Sequence, residues 1–244
     1  MTDSPSPVPT VVLVHGAFAD AGSWAGVADI LLKAGVPVIG PAVPLRGLAS
    51  DSAYIASVFA QIEGPILPVG HSYGGALISN AAAGNPNVKG LVFVSGFAPE
   101  VGEALGEVEG TSRDSALAPA LVQRQYPSGD GGATAVELFV DTAQFYRVFA
   151  GDLPEDQANV LAATQRPVAA AAFDEKSAAA AWKDLPSWAV VARGDKAAGS
   201  DVLLSMAQRA GAELLELEGS HVIMISQPQP VADVIMKALK AVGA

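Results

Sequence analysis

The segment from Gly70 to Gly75, Gly-His-Ser-Tyr-Gly-Gly, has the residue types of a reactive serine held in a tight turn. An apolar run from Ile66 to Val69 lies directly before it, and a helix rich in alanine is predicted directly after it. A G-x-S-x-G turn between a strand and a helix exposes the serine hydroxyl. The N-terminus of the following helix favours a developing negative charge. A glycine-rich turn with a capping serine is the alternative, and the strand and helix on either side favour Ser72 as a nucleophile.

A serine hydroxyl needs a general base near neutral pH, and the chain offers three histidines. His71 lies inside the turn beside Ser72, where we expect the sharp bend to send its side chain elsewhere. His15 ends the first predicted strand, in the sequence His-Gly-Ala-Phe, and is expected to brace the loop that follows. His221 follows the last predicted strand, in the sequence Gly-Ser-His. Elimination therefore predicts His221 as the base.

A carboxylate is needed to orient the histidine and to stabilise its charged form. Asp195 fits best, because it lies just beyond a predicted strand that ends at Ala192 and comes between the serine and the histidine in the chain. Asp201 is the rival, although it suits the start of the next helix better. Asp174 and Asp184 belong to an intervening segment and are less suitable.

The oxyanion formed by serine attack needs donors that are already in place. Two backbone N–H groups are candidates. One belongs to Tyr73, the residue after the serine, and the other belongs to Ala17 or to Phe18, in the loop after the first strand.

Short apolar runs alternate with helical patterns, which is typical of parallel strands covered on both faces. The predicted strands are Val11–Val14, Val36–Ile39, Ile66–Val69, Leu91–Val94, Trp188–Ala192 and a weaker Glu213–Leu217. The predicted helices between and after them are 24–34, 51–62, 73–84, 201–210 and 229–241. This order predicts an α/β fold with a mostly parallel, doubly wound sheet of six or more strands.

The alternation stops between about residues 98 and 183, where the sequence shows helix-like pieces and no convincing strand. These pieces are Ala116–Gln125, Asp141–Ala150, Pro154–Gln165 and the alanine-rich Ala169–Ala181. A structureless loop of this length is improbable, so we expect a helical cap inserted before the strand that carries the acid. The expected organisation is one domain, 1–244, with its core at 8–97 and 184–244.

Three motifs, Val11–Phe18, Gly70–Gly75 and Gly219–His221, together resemble the α/β-hydrolase superfamily. More narrowly, they resemble bacterial esterase-like members related to plant methylesterases and hydroxynitrile lyases. The resemblance covers nearly the whole chain, including Gln165–Pro167 and Ser226–Pro228. It implies the α/β-hydrolase fold.

The same resemblance places Asp195 at the acid position of the family and Ala17 and Tyr73 at its oxyanion donors. One departure is informative. Hydroxynitrile lyases of this group carry a lysine directly after the catalytic histidine, whereas this chain has Val222 there. Lyase activity is therefore not expected.

Composition excludes several other classes of function. The net charge is −11 and the isoelectric point is near 4.6, so neither nucleic acid nor an anionic membrane surface is an expected partner. The chain has no cysteine, which excludes disulfides and a thiol nucleophile. It shows neither a dinucleotide-binding glycine motif nor a cluster of metal ligands, so no cofactor and no metal are expected. The N-terminal stretch lacks the features of a secretory signal, and we expect a cytoplasmic protein. The sequence leaves open whether it is a monomer or a homodimer.

These features predict a carboxylesterase-type serine hydrolase that cleaves small, fairly apolar carboxylic esters through an acyl-enzyme. Aromatic side chains are candidates for the substrate pocket, with ordinary core packing as the alternative: Phe18, Phe139, Phe145, Tyr146, Phe149 and Trp182. Two other functions stay open. The same three residues could serve carbon–carbon bond hydrolysis or cofactor-free perhydrolysis, or the fold could act as a non-catalytic receptor for a small molecule.

Overall fold

The computed structural model of the chain describes residues 8–129 and 132–243, and its centre is a parallel β-sheet. In chain order, the strands within these ranges are β1 (Thr10–Val14), β2 (Val38–Ile39), β3 (Ile66–His71), β4 (Leu91–Val94), β5 (Leu121–Pro127), β6 (Thr134–Val140), β7 (Val168–Ala169), β8 (Ser187–Ala192) and β9 (Glu213–Leu217). The central sheet has six strands in the order β2-β1-β3-β4-β8-β9, and every neighbouring pair is parallel. The predicted fold class is confirmed.

Helices flank the sheet. Over the same ranges they are α1 (Ala25–Lys33), α2 (Leu48–Ala60), α3 (Tyr73–Ala81), α4 (Leu105–Glu109), α5 (Thr142–Phe149), α6 (Glu155–Thr164), α7 (Ala171–Asp174), α8 (Ser200–Arg209), α9 (Ile223–Ser226) and α10 (Pro228–Val242). Helix α1 packs against α10, and α2 packs against α3. None of the described helices combines the length and the apolar character that a membrane crossing needs.

The strand order explains how distant residues reach one place. Strands β3, β4 and β8 are buried at every residue, as expected for apolar runs covered on both faces. Because neighbouring strands are parallel, their carboxyl ends lie at one edge of the sheet. The loops after β1, β3, β8 and β9 therefore open at this edge, and they carry the candidate residues near positions 17, 72, 195 and 221.

The segment between β4 and β8 differs from the expectation of a purely helical insertion. Helices α5 and α6 form where they were predicted. The segment also contains a three-stranded antiparallel sheet in the order β5-β6-β7. The cap is thus a mixed α/β structure.

Two helix predictions in this segment are wrong. The first, Ala116–Gln125, becomes a short 3₁₀ helix at Ala118–Ala120 followed by β5, because pairing along the whole length of β6 overrides the helix propensity of its alanine, leucine and glutamine residues. The second, Ala169–Ala181, is α-helical only in α7, since Ala169 pairs with β6 and Ser177 exchanges backbone hydrogen bonds with residues 102 and 103.

Candidate active site

The turn between β3 and α3 holds Ser72 in a strained conformation. Its backbone has φ +52° and ψ −124°, a positive φ that side chains rarely adopt. The turn is fixed from both sides: the Ser72 N–H donates to the carbonyl of Ser95 at 3.1 Å, and the Ser72 carbonyl accepts from the N–H groups of Gly75 at 2.9 Å and Phe97 at 3.1 Å. Ser72 is 7% exposed. The surrounding backbone therefore maintains the strain.

Two glycines let neighbouring backbone approach this turn. A Cβ atom on Gly74 would lie 2.4 Å from the carbonyl oxygen of Val14, and one on Gly16 would lie 2.6 Å from the Cβ of Ser72. No side chain fits at either distance. The loop after β1 therefore crosses directly over the serine turn.

His221 and Asp195 form a buried pair. The Nδ1 of His221 donates to Oδ2 of Asp195 at 2.7 Å, and both side chains are at most 1% exposed. The other carboxylate oxygen accepts from the N–H groups of Ala197 at 2.9 Å and Ala198 at 3.0 Å. Because an ionised carboxylate only accepts, the proton of the neutral imidazole is assigned to Nδ1 and its Nε2 is an acceptor.

The rival carboxylate Asp201 has different partners. It lies in the first turn of α8 and accepts from the hydroxyl of Ser112 at 2.5 Å and from the N–H of Arg113 at 2.9 Å. Asp195, and not Asp201, is the carboxylate that the structure brings to His221.

His71 connects the serine turn to the His221 loop. Its Nε2 lies 2.9 Å from the carbonyl oxygen of His221, to which it donates, and the two rings have centroids 4.6 Å apart. Burial, with the nearby His221 ring, holds the pKa of His71 well below its usual value, so its ring is neutral. Sequence reasoning missed this contact, since a hydrogen bond between residues 150 positions apart leaves no local signal.

The Ser72 hydroxyl and the His221 ring are not hydrogen bonded in the structure as described. The His221 ring lies instead against the ring of His71, the residue before the serine, with 4.6 Å between the centroids. In free enzymes such catalytic contacts are often long and tighten only when substrate is bound.

Three buried backbone N–H groups beside the turn have no acceptor among the described residues. They belong to Ala17, Phe18 and Tyr73, which are at most 3% exposed. Buried N–H groups without a partner are rare, and these are available to an oxyanion.

The loop that carries two of these donors is braced by His15, as expected. The Nδ1 of His15 donates to the carbonyl of Gly16 at 2.9 Å, and its Nε2 accepts from the N–H of Val43 at 3.0 Å. Burial lowers the pKa of His15 to about 4. The ring is therefore neutral and holds one tautomer.

Three of the six aromatic candidates meet beside the imidazole. Phe18, Phe145 and Phe149 line a cavity of about 350 Å³, which Val222 also lines. The ring of Phe149 lies 4.8 Å from the ring of His221 and 6.0 Å from that of Phe18, measured between centroids. The cavity thus adjoins the His221 side of the site.

The other three aromatic candidates do not line this cavity. The ring of Phe139 lies under the guanidinium of Arg124, 4.5 Å away. Tyr146 lines a separate surface groove, and Trp182 donates its indole N–H to the carbonyl of Pro99. Across residues 8–129 and 132–243, no three histidine or acidic side chains are grouped as a metal site would require.

Comparison with known proteins identifies the class. The model of the alpha/beta hydrolase family matches residues 11–234, and the chain belongs to this family. A carbendazim hydrolyzing esterase of Nocardioides sp. (strain SG-4G) is 35% identical over 107 residues, which cover 38% of this chain and 44% of that esterase. The match thus spans less than half of the relative.

Two solved structures share the fold over nearly their whole length. Polyneuridine aldehyde esterase has a TM-score of 0.79 at 19% identity, with 95% of this chain and 99% of that chain covered. Methylketone synthase I of tomato, complexed with 2-tridecanone, has a TM-score of 0.76 at 21% identity, with 97% and 99% covered. At these identities the two structures show that the chain has the same fold.

Proposed function

We propose that the protein is a carboxylesterase in which Ser72, His221 and Asp195 act as nucleophile, base and acid. The observation that carries this proposal is the buried His221–Asp195 pair, whose loop is hydrogen bonded to His71, the residue before the strained serine. The N–H groups of Ala17, Phe18 and Tyr73 have no acceptor among the described residues; they lie in the loop after β1 and at the start of α3, and they supply the electrostatic part of the site.

The reaction proceeds in two steps. The Ser72 oxygen forms a bond to the ester carbonyl carbon while its proton passes to Nε2 of His221, and the carbonyl oxygen becomes an oxyanion bound by backbone N–H groups. The bond to the alcohol oxygen then breaks, and that oxygen takes the proton from His221. Water, deprotonated by the same imidazole, releases the acid and restores the serine. Asp195 keeps the imidazole oriented and stabilises its charged form.

The substrate class follows from the cavity beside His221. Apolar side chains such as Phe145, Phe149 and Leu161 line it together with polar ones such as Gln157 and Gln165, and its volume of about 350 Å³ suits a small molecule. A small, fairly apolar ester places its apolar part there, next to the imidazole that handles the leaving group. The names of the carbendazim hydrolyzing esterase and of polyneuridine aldehyde esterase support ester hydrolysis.

The test replaces the serine. Ser72→Ala should abolish turnover of p-nitrophenyl acetate and butyrate and leave the thermal unfolding temperature close to that of the wild type. Turnover retained by the variant would exclude Ser72 as nucleophile.

A matched pair of substrates separates ester hydrolysis from carbon–carbon bond hydrolysis. An ester and a 1,3-diketone with the same acyl group are compared by product analysis. Preferential cleavage of the diketone would replace the esterase proposal by the other reaction.

A further inference from the structure

The side chain of Tyr73 makes a buried hydrogen bond that packing alone does not require. Its hydroxyl donates to Oδ2 of Asp51 on α2 at 2.9 Å, and both residues are fully buried. A phenylalanine would fill nearly the same volume without burying a hydroxyl, which costs free energy unless the hydroxyl has a hydrogen-bond partner.

Asp51 is held in place by backbone as well. Its carboxylate accepts from the N–H of Arg46 at 3.0 Å and, through the same oxygen, from the N–H of Gly47 at 3.4 Å. Burial raises the pKa of Asp51, and the hydrogen bonds from Tyr73, Arg46 and Gly47 act in the opposite direction. Burial and the adjacent carboxylate raise the pKa of Tyr73, so its hydroxyl stays protonated and donates.

The segment from Val43 to Asp51, which we term the bridging segment, contacts both sides of the oxyanion site. At one end, the Val43 N–H donates to His15, which in turn donates to the carbonyl of Gly16, directly before Ala17. At the other end, Asp51 holds Tyr73. The loop after β1, which carries the N–H groups of Ala17 and Phe18, and the side chain of Tyr73 are therefore both hydrogen bonded to the bridging segment.

A ring from the cap strengthens the same arrangement. The ring of Phe173 lies 6.4 Å from that of Tyr73 and 6.5 Å from that of Phe18, measured between centroids. The side chain of Tyr73 is thus fixed at its hydroxyl by Asp51 and at its ring by Phe173.

We propose that Asp51 is a positioning residue for the oxyanion site: through the Tyr73 hydroxyl it sets the place of the Tyr73 N–H relative to the N–H groups of the loop after β1. This inference rests on the proposed function, in which those N–H groups bind the oxyanion. The Tyr73 N–H is present in any variant, so what Asp51 controls is its position and not its existence.

The experiment compares Tyr73→Phe and Asp51→Asn with the wild type on p-nitrophenyl butyrate. Each variant should lose about tenfold in kcat with little change in KM, which is less than the roughly 100-fold to 1,000-fold cost of removing an oxyanion donor outright. The double variant should lose no more kcat than the less active of the two single variants, because the two side chains act as a unit. Active sites are counted by fluorophosphonate titration, so that misfolded protein does not contribute to kcat.

Inhibitor binding gives a second readout that a purely structural role would not change. The affinity for an alkylboronic acid, which adds to the serine as a tetrahedral anion, should fall by the same factor as kcat/KM. The affinity for the butyrate product should stay within about twofold, because a planar carboxylate does not use the donors in the same way. Tyr54→Phe is the matched control: Tyr54 lies on the same helix as Asp51, is 39% exposed, and should behave as wild type.

The outcomes distinguish the two proposals. If the wild type turns over the ester and is labelled at Ser72, but Tyr73→Phe keeps its kcat per titrated site and its boronate affinity, Asp51 is only structural and this inference fails alone. If the wild type neither hydrolyses esters nor reacts with the fluorophosphonate, the proposed function fails and the inference falls with it.

Discussion

The Asp195→Asn variant probes the buried pair most sharply, because the structure fixes how the new amide must lie. Oδ1 of Asp195 accepts from the N–H groups of Ala197 and Ala198, and Oδ2 accepts from His221. If the amide nitrogen were turned toward the N–H groups of Ala197 and Ala198, both of these hydrogen bonds would be lost, because donors would face donors. The amide oxygen therefore stays there, and the amide nitrogen faces Nδ1 of His221.

The consequence is a change of tautomer in His221. Facing a donor, Nδ1 must accept, so the single proton of the neutral ring moves to Nε2, and Nε2 no longer accepts the serine proton. The corresponding change in a serine protease lowers kcat by about 10,000-fold. At about 1.36 kcal/mol for each factor of ten, this is a loss of about 5 kcal/mol of transition-state stabilisation. Stability should change far less, since the hydrogen bonds to Ala197 and Ala198 persist.

The assay is ester hydrolysis under saturating substrate, with kcat referred to titrated active sites. Asp201→Asn is the control: its carboxylate binds Ser112 and Arg113 and should leave kcat within about threefold of the wild type. A kcat for Asp195→Asn within tenfold of the wild type would refute the reasoning, as would a larger loss in Asp201→Asn.

Three further variants test other parts of the site. The pKa of folded His15 is about 4, against about 6.5 for an unfolded histidine, so its neutral burial contributes stability above pH 6.5 that is lost as the pH falls toward 4. Between pH 7 and pH 5, the free energy of unfolding measured with urea should therefore fall by about 2 kcal/mol more in the wild type than in His15→Gln. Equal losses in the two proteins would contradict this. Gly16→Ala should lower activity by at least tenfold, because its Cβ would lie 2.6 Å from the Cβ of Ser72; unchanged kcat would show that the loop can move away. Leu161→Trp should raise KM for p-nitrophenyl esters about tenfold, because the indole would occupy much of the cavity. Val160→Trp, at an exposed position of the same helix, should leave KM unchanged. Equal KM values for the two variants would show that the ester does not bind in this cavity.

The serine turn and the central sheet could be predicted from the sequence because their signals are local. The Gly-His-Ser-Tyr-Gly-Gly turn lies between an apolar run and a helix, and the structure has that strand, turn and helix in place. Asp195 could be ranked above Asp201 because it lies in the loop just after a buried strand, where the carboxyl ends of parallel strands converge.

The small sheet of the cap could not be predicted in the same way. Most side chains of β5 are exposed, so the strand lacks an alternating apolar pattern, and its partner β6 determines its conformation. Alanine content misled the prediction for Ala169–Ala181, where the pairing of Ala169 with β6 and the backbone hydrogen bonds of Ser177 to residues 102 and 103 compete with a helix.

The contacts that hold the site together were also beyond local reasoning. The hydrogen bond of His71 to the His221 loop and that of Tyr73 to Asp51 join residues 150 and 22 positions apart. Each depends on the way the sheet and its helices pack. Such contacts show themselves only as buried polar side chains that need a partner.

The central claim is that Ser72 is a nucleophile activated by His221, and peptide mass spectrometry after reaction with a fluorophosphonate tests it most directly. The wild type should carry one adduct, on the peptide that contains Ser72, and His221→Ala should be labelled at least 100-fold more slowly. A wild-type protein that stays unlabelled, an adduct on another residue, or equal labelling rates in the two proteins would contradict the account.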